Sequence, residues 1–298
     1  MIGFFFYNIC LCVIILFGDR MNGILLVNKP TGMTSHDVVN FIRKTLHTKK
    51  VGHCGTLDPD ATGVLVLCIG KATKALQFLM CEDKEYQATL SLGTFTDTYD
   101  SSGKVLETKE FTGVSDVEKV LKSYLGKQKQ LPPMYSAIKV NGKKLYEYAR
   151  NHEKVKIEPR DIEIINIQLL SQKEHLVEFL VHCSKGTYIR SLCVDIARDL
   201  GYPGHMCHLI RTRSGHFSLQ DCYDLEDIEK GNYRLLTLEE AFKGFEKYTI
   251  DDENIVYHGK MIRSDIDHQV VVVNLEGKVL AVYGPNGQGY LKSIRGLF

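Results

Sequence analysis

Gly52-His53-Cys54-Gly55-Thr56-Leu57-Asp58-Pro59-Asp60-Ala61-Thr62-Gly63 runs directly into the apolar stretch Val64-Leu65-Val66-Leu67-Cys68-Ile69. The apolar stretch reads as buried chain, and the turn-prone residues before it place the carboxylate of Asp58 at the rim of a core. Glycines permit backbone angles and close approaches closed to other residues, so an acid held there can serve as a nucleophile or as a general acid or base. It can equally be a plain turn cap, since Asp-Pro is a common turn-initiating pair.

Outward from this stretch, the chain mixes strands and helices. Upstream, Ile24-Leu25-Leu26-Val27 reads as a short buried strand closed by Asn28-Lys29-Pro30-Thr31-Gly32. A helix follows, with Ser35 as its N-cap and Val39, Ile42 and Leu46 at helical spacing. Downstream, Tyr86, Ala88, Leu90 and Leu92 alternate with Gln87, Thr89 and Ser91, which predicts a half-buried strand with Tyr86 pointing toward the core. Ser115 to Glu118 reads as a capping box opening a helix through Leu125, with Gly126 as its stop signal. A further strand is predicted over 176–183, with Val177, Phe179, Val181 and Cys183 on one face. After Ser184-Lys185-Gly186-Thr187 comes a helix carrying Ile189, Leu192, Cys193, Ile196 and Leu200 on its apolar face. No repeating βαβ rhythm appears, so the class is α+β rather than a doubly wound sheet. Near the end, Val270 to Val273 and Val279 to Tyr283 flank Glu276-Gly277 as a hairpin, which predicts a small all-β module starting near Lys247. The predicted organisation is a domain over 21–246 and a small one over 247–298.

At 298 residues and a net charge of +1, the chain carries no overall basic field, so any nucleic-acid surface must be local. Candidates are Arg43, Lys44, Lys49 and Lys50, then Lys127 and Lys129, Lys139 with Lys143 and Lys144, and Arg211 with Arg213. The competing reading of each is an ordinary solvated face. Nine cysteines form no C-x-x-C pair and no cluster with zinc spacing, which fits a reducing compartment. Cys54 is a weak candidate for a catalytic thiol, because its only patterned base is the adjacent His53. Residues 3–17 are almost wholly apolar but shorter than the ~20 residues that span a bilayer. They also lack the positive n-region and cleavage site of a secretory signal. The expectation is that 1–20 is a leader outside the native fold, that translation starts at Met21, and that there is no stable membrane association.

No G-x-G-x-x-G unit, P-loop, G-x-S-x-G elbow or metal-type His/Asp/Glu cluster occurs. Asp58 must therefore be tested against polar residues near predicted element ends, and two stand out. Tyr86 opens a strand, although a core tyrosine with a backbone partner is the plainer reading. Arg190 sits in the first turn of a helix, where a cation opposes the helix dipole by some tenths of a kcal/mol. A nearby carboxylate would reverse that penalty, and pairing with Asp58 would keep the acid ionised and aimed. The alternative is an arginine bent into solvent. A glycosidase or nucleoside hydrolase would want paired carboxylates or a metal, and Asp60, the close companion of Asp58, reads as a turn residue.

Five blocks of sequence carry a resemblance, in order, over Met21 to about Phe217. They are Val27-Asn28-Lys29-Pro30-Thr31-Gly32-Met33-Thr34-Ser35-His36-Asp37, the stretch from Gly52 to Gly63, and Tyr135-Ser136-Ala137-Ile138-Lys139 with Gly142 and Leu145 to Arg150. Lys185-Gly186-Thr187-Tyr188-Ile189-Arg190-Ser191-Leu192 and Arg211-Thr212-Arg213-Ser214-Gly215 complete the series. Together they resemble the motifs of bacterial TruB-type tRNA pseudouridine-55 synthases. The hairpin module resembles, by position and pattern, the PUA domain that follows the catalytic domain in that family. The resemblance implies a mixed, mainly antiparallel sheet flanked by helices, and a monomeric cytoplasmic isomerase acting on the T-arm of tRNA. It implies no cofactor and no metal. Asp58 matches the catalytic aspartate, which attacks either the ribose or the base. Tyr86 matches the tyrosine stacked on the flipped uracil, and Arg190 the arginine paired with the aspartate. His53 matches a histidine filling the gap left by the flipped base, and Tyr188 and Leu209 match residues lining the nucleotide pocket. Lys29, Lys139, Lys143, Arg211 and Arg213 would supply a local basic track for RNA. A non-catalytic RNA-binding or tRNA-folding protein of the same fold is the alternative function.

Overall fold

The structure, a computed structural model, describes residues 21–80, 82–151 and 153–298. The apolar leader expected over 1–20 lies outside the described residues. The described chain divides into two compact units, one of residues 21–59, 64–80 and 216–298 and the other of 60–63 and 82–215.

In the first unit, the strands Gly23–Lys29 and Thr62–Ile69 are buried on both faces. Ile24 and Leu26 of the former and Val64, Val66 and Cys68 of the latter enter one apolar cluster, and Leu25, Val27, Leu65, Leu67 and Ile69 enter another. A strand covered on both sides reads as an unbroken apolar run, which is why residues 64–69 show no alternation. Val51–His53 pairs antiparallel with Thr62–Ile69. The helix Ser35–Thr45 buries Val38, Val39 and Ile42 in the second cluster.

Its N-cap is Thr34, one residue before the expected Ser35. The Thr34 hydroxyl accepts from the Asp37 amide at 3.0 Å, and the Asp37 carboxylate accepts from the Thr34 amide at 2.9 Å. This reciprocal box satisfies two helix-start donors and leaves the Ser35 hydroxyl for another partner. The same unit contains the C-terminal β domain, five strands in the order Lys247–Thr249, Val270–Val273, Val279–Pro285, Tyr290–Gly296 and Ile262–Arg263. Its hairpin turns at Glu276-Gly277 as expected, with Gly277 at φ +82°.

In the second unit, Gly204–Ser214, Lys84–Leu92, Leu176–Cys183, Arg160–Lys173 and Gly126–Gln130 pair antiparallel in that order. Thr62 and Gly63 add in parallel beside Ile210 and Arg211. The sheets are thus mixed and mainly antiparallel, and the class is α+β. Gly63 stands at φ +102°, and a Cβ there would collide with the Arg211 backbone, so the close approach of these strands requires glycine. Tyr86, Ala88, Leu90 and Leu92 are buried together with Val177, Phe179, Val181 and Cys183, as the alternation predicts. The helix Ile189–Asp199 buries Ile189, Leu192, Cys193 and Ile196.

The helix expected over 115–125 is shorter, Val117–Ser123, and has no capping box. Asp116 takes a left-handed conformation at φ +59°, and the Ser115 hydroxyl bonds the Asp116 carboxylate instead of a helix amide. The helix stops early because Gly126, at φ +95°, already opens the strand paired with Arg160–Lys173. Among the described residues no helix is long and apolar enough to cross a membrane.

Candidate active site

In the first unit, Asp58 is half-buried between two residues that are tied down. Ser35, almost fully buried, donates its hydroxyl to the Leu57 carbonyl at 3.1 Å and accepts the Leu57 amide at 2.9 Å. On the other side, the Pro59 carbonyl accepts from the Lys29 ammonium at 2.9 Å and from the Gly32 amide at 3.0 Å. Lys29 is 0 % exposed and also donates to the Pro30 carbonyl at 2.7 Å. A buried ammonium without partners would be very costly, so these carbonyls fix Lys29 and Lys29 in turn fixes the loop. Lys29, expected in a local basic track, directs its charge to the backbone around Asp58. The Asp-Pro pair is therefore not a loose turn, because Leu57 and Pro59, on either side of Asp58, are held by buried donors and acceptors.

His53 ends the strand Val51–His53, opposite Leu67. Cys54 is buried with its sulfur 3.7 Å from that of Cys68. The hydrogen bond with Cys54, and then burial, push the Cys68 thiol strongly up. Cys54 is fully buried, and buried structural cysteines are inert, which disfavours its reading as a nucleophile. Among the described residues no three His, Cys, Asp or Glu side chains form a group suited to a metal ion.

In the second unit, Tyr86 is buried in the strand Lys84–Leu92, opposite Val181 on one side and Arg211 on the other. Leu209, also buried, lies opposite Ala88. Tyr188 is the N-cap residue of the helix Ile189–Asp199, and Arg190 follows in its first turn. Arg190 is 6 % exposed. Its guanidinium donates to the Thr98 carbonyl at 3.0 Å, to Asp100 Oδ2 at 3.3 Å and to the Tyr135 carbonyl at 2.9 Å. The dipole penalty on a cation at this position asks for a carboxylate, and Asp100 supplies one. Sequence reasoning missed Asp100, which stands 90 residues away and belongs to no block of the resemblance. A readable local signal did exist: in Thr96-Asp97-Thr98-Tyr99-Asp100-Ser101-Ser102-Gly103 the acids and hydroxyls are spaced for a self-bonded turn. Asp100 Oδ1 accordingly accepts from the Thr98 and Ser102 hydroxyls at 2.6 Å each.

Of the remaining expected RNA contacts, Lys139 is exposed on the small hairpin Lys139–Val140 with Lys143–Lys144. Lys143 pairs with Glu153 at 2.7 Å and lies over the Tyr148 ring. Arg211 is 1 % exposed, buried like Lys29. Arg213 donates to the Gly215 carbonyl at 2.7 Å and faces Asp83 at 3.4 Å.

Residues 43–189 match the N-terminal domain of the TruB family pseudouridylate synthases, and residues 190–243 match the C-terminal domain of tRNA pseudouridylate synthase B. The tRNA pseudouridine synthase B of Bacillus subtilis is 45 % identical over 289 residues, covering 89 % of this chain and 94 % of that protein. The Bacillus cereus protein of the same name is 42 % identical over 297 residues, covering 92 % and 97 %. Among solved structures, a Cbf5-Nop10-Gar1 complex contains a chain similar at TM-score 0.74 and 25 % identity, covering 96 % of this chain and 87 % of that one. A chain of an H/ACA RNP bound to a substrate RNA is similar at TM-score 0.71 and 23 % identity, covering 95 % and 87 %.

Proposed function

This chain belongs to the TruB family of pseudouridylate synthases and isomerises uridine in tRNA to pseudouridine, and we propose that it acts on the T-loop uridine through Asp58, Tyr86 and Arg190. A base inside folded RNA is closed to chemistry, so the uridine is flipped out at a cost of about a few kcal/mol, offset by stacking and pocket contacts. His53 fills the vacated stack, and Tyr188 and Leu209 line the pocket. Asp58 attacks the ribose or the base, and the N-glycosidic bond breaks. The uracil rotates, its carbon 5 bonds to the sugar, and the bond made to Asp58 breaks, returning the free carboxylate. The proton on carbon 5 then leaves, with Tyr86 as the base that takes it, and the ring nitrogen freed from the sugar gains one. Arg190 keeps the Asp58 carboxylate ionised.

The observation that carries this reading is the double clamp on the backbone of Leu57 and Pro59, which pre-orders the loop around Asp58. Ordering a reacting group before substrate arrives is where much of an enzyme's rate advantage lies. The domain boundary near 247, action in the cytoplasm, the monomeric state and an RNA role for exposed Lys139 belong to the same proposal. The test is release of tritium from carbon-5-labelled uridine in a T-arm transcript. Asp58→Asn is expected to abolish release, and release equal to that of the native protein would end the assignment.

A further inference from the structure

Gln130 is a neutral, 4 % exposed side chain at the end of the strand Gly126–Gln130. Its amide nitrogen donates to the Tyr188 carbonyl at 3.0 Å, and its amide oxygen accepts from the Tyr188 amide at 2.7 Å. One side chain thus takes both main-chain groups of the residue that caps the Arg190 helix, as a neighbouring strand would. The Tyr188 carbonyl also accepts the first helical bond, from the Leu192 amide at 3.1 Å, so the grip fixes where that helix begins.

The segment after Gln130 continues the attachment. The Ser191 hydroxyl donates to the Leu131 carbonyl at 2.8 Å, and Arg190 Nη2 donates to the Tyr135 carbonyl at 2.9 Å. Residues 188, 190 and 191 are therefore each bonded to the 130–135 segment. Of these links, only the pair at Gln130 runs through a side chain of that segment, so it is the pair that substitution can remove. Gln130 itself is set by its place opposite Arg160 in the sheet. It carries the register of the sheet into the first turn of the helix.

We infer that Gln130 is a positioning residue for pseudouridine formation, aiming the Arg190 guanidinium and the Tyr188 ring through the main chain of Tyr188. The inference rests on the proposed placement of Arg190 and Tyr188 in the active site. Amide geometry is what the role requires, with one donor and one acceptor side by side. A carboxylate offers only acceptors and sets an oxygen against the Tyr188 carbonyl, whereas a protonated carboxyl restores the donor.

The test uses Gln130→Leu and Gln130→Glu in the full chain, with single-turnover tritium release and transcript affinity measured from about pH 6 to about pH 8.5 and expressed relative to the native protein at each pH. Gln130→Leu should slow release by roughly ten- to a hundredfold, the scale expected when buried polar groups lose their partners at a positioned site, with affinity within about threefold of native. Its deficit should not change with pH. Gln130→Glu should match that deficit at the alkaline end and recover several-fold at the acid end, because burial raises the carboxyl pKa into the range. If Gln130→Leu does not fold, the pH profile of Gln130→Glu decides alone. A Gln130→Glu rate within about twofold of native at every pH, or a uniform deficit that follows a fall in melting temperature, overturns the inference. Arg190→Lys separates the two layers. If that variant keeps the native rate, the placement of Arg190 fails and the inference falls with it. If it is slow while Gln130→Glu is native, the inference alone is overturned.

Discussion

Ser35 grips the residue before Asp58 with one buried oxygen that both donates and accepts. Ser35→Ala would strand an amide and a carbonyl of Leu57, at about 1–3 kcal/mol for groups left buried without partners. The expected outcome is a lower melting temperature together with a fall in single-turnover tritium release, while transcript affinity stays near native. A variant with unchanged release would show that the loop around Asp58 keeps its order without Ser35. At this scale the sequence revealed residue types better than partners. Glycines and Asp-Pro marked the loop, and the dipole argument marked Arg190 as a cation needing an acid. One acid that meets Arg190, Asp100, and the turn of Lys29 toward Pro59 depend on contacts across 90 and 30 residues. No local pattern encodes those contacts.

Asp83 shows how strands are joined at the element scale. It precedes Lys84–Leu92, hydrogen-bonds His182 of Leu176–Cys183, and faces Arg213 of Gly204–Ser214 at 3.4 Å. Burial alone would raise its carboxyl pKa, but the His182 hydrogen bond and the Arg213 charge outweigh it, and the pKa lies below the usual value. A carboxyl depressed in the folded state contributes stability that is present above its unfolded pKa of about 4 and is lost as pH falls through the folded value. Asp83→Asn should therefore lower the melting temperature at neutral pH, and the gap from native should close below about pH 4. A gap that stays constant down to the acid end would place the effect of Asp83 in packing rather than charge.

The strands themselves were legible because alternation at 86–92 and 176–183 and the unbroken run at 64–69 report burial directly. Helix ends were less so. Thr34 and Ser35 are both good caps, and Asp37, spaced to close a box with Thr34, was the signal that separates them. At Ser115 the same motif failed because Asp116 takes a left-handed conformation and its carboxylate accepts the Ser115 hydroxyl in place of a helix amide.

For the molecule as a whole, the C-terminal β domain shares an apolar cluster with the amino-terminal strands of its unit. Val271, Val273, Val279, Val282 and Leu297 lie in the cluster that contains Ile24, Leu26, Val64 and Val66. The terminal residue adds to this, since the Phe298 main-chain oxygen accepts from Lys74 at 2.7 Å. Hydrophobic periodicity predicted a hairpin in a small all-β module but could not say what covers its outer face, because a run such as Val270 to Val273 looks the same whether its second face meets its own domain or another segment. Here Val270 and Val272 face the domain's own cluster, and Val271 and Val273 face the shared one. Each fully buried apolar side chain is worth about 1.5–3 kcal/mol, and the whole stability of a domain is about 5–15 kcal/mol. Removing residues 247–298 uncovers the cluster that holds Ile24, Leu26, Val64 and Val66 as well as deleting the module. A chain ending at 246 is therefore expected to melt far below the full chain or to be recovered as aggregate, with tritium release lost for want of folded protein. If instead it melts cooperatively near the native temperature and loses only transcript affinity, the module is an independent RNA-binding domain and the shared cluster contributes little.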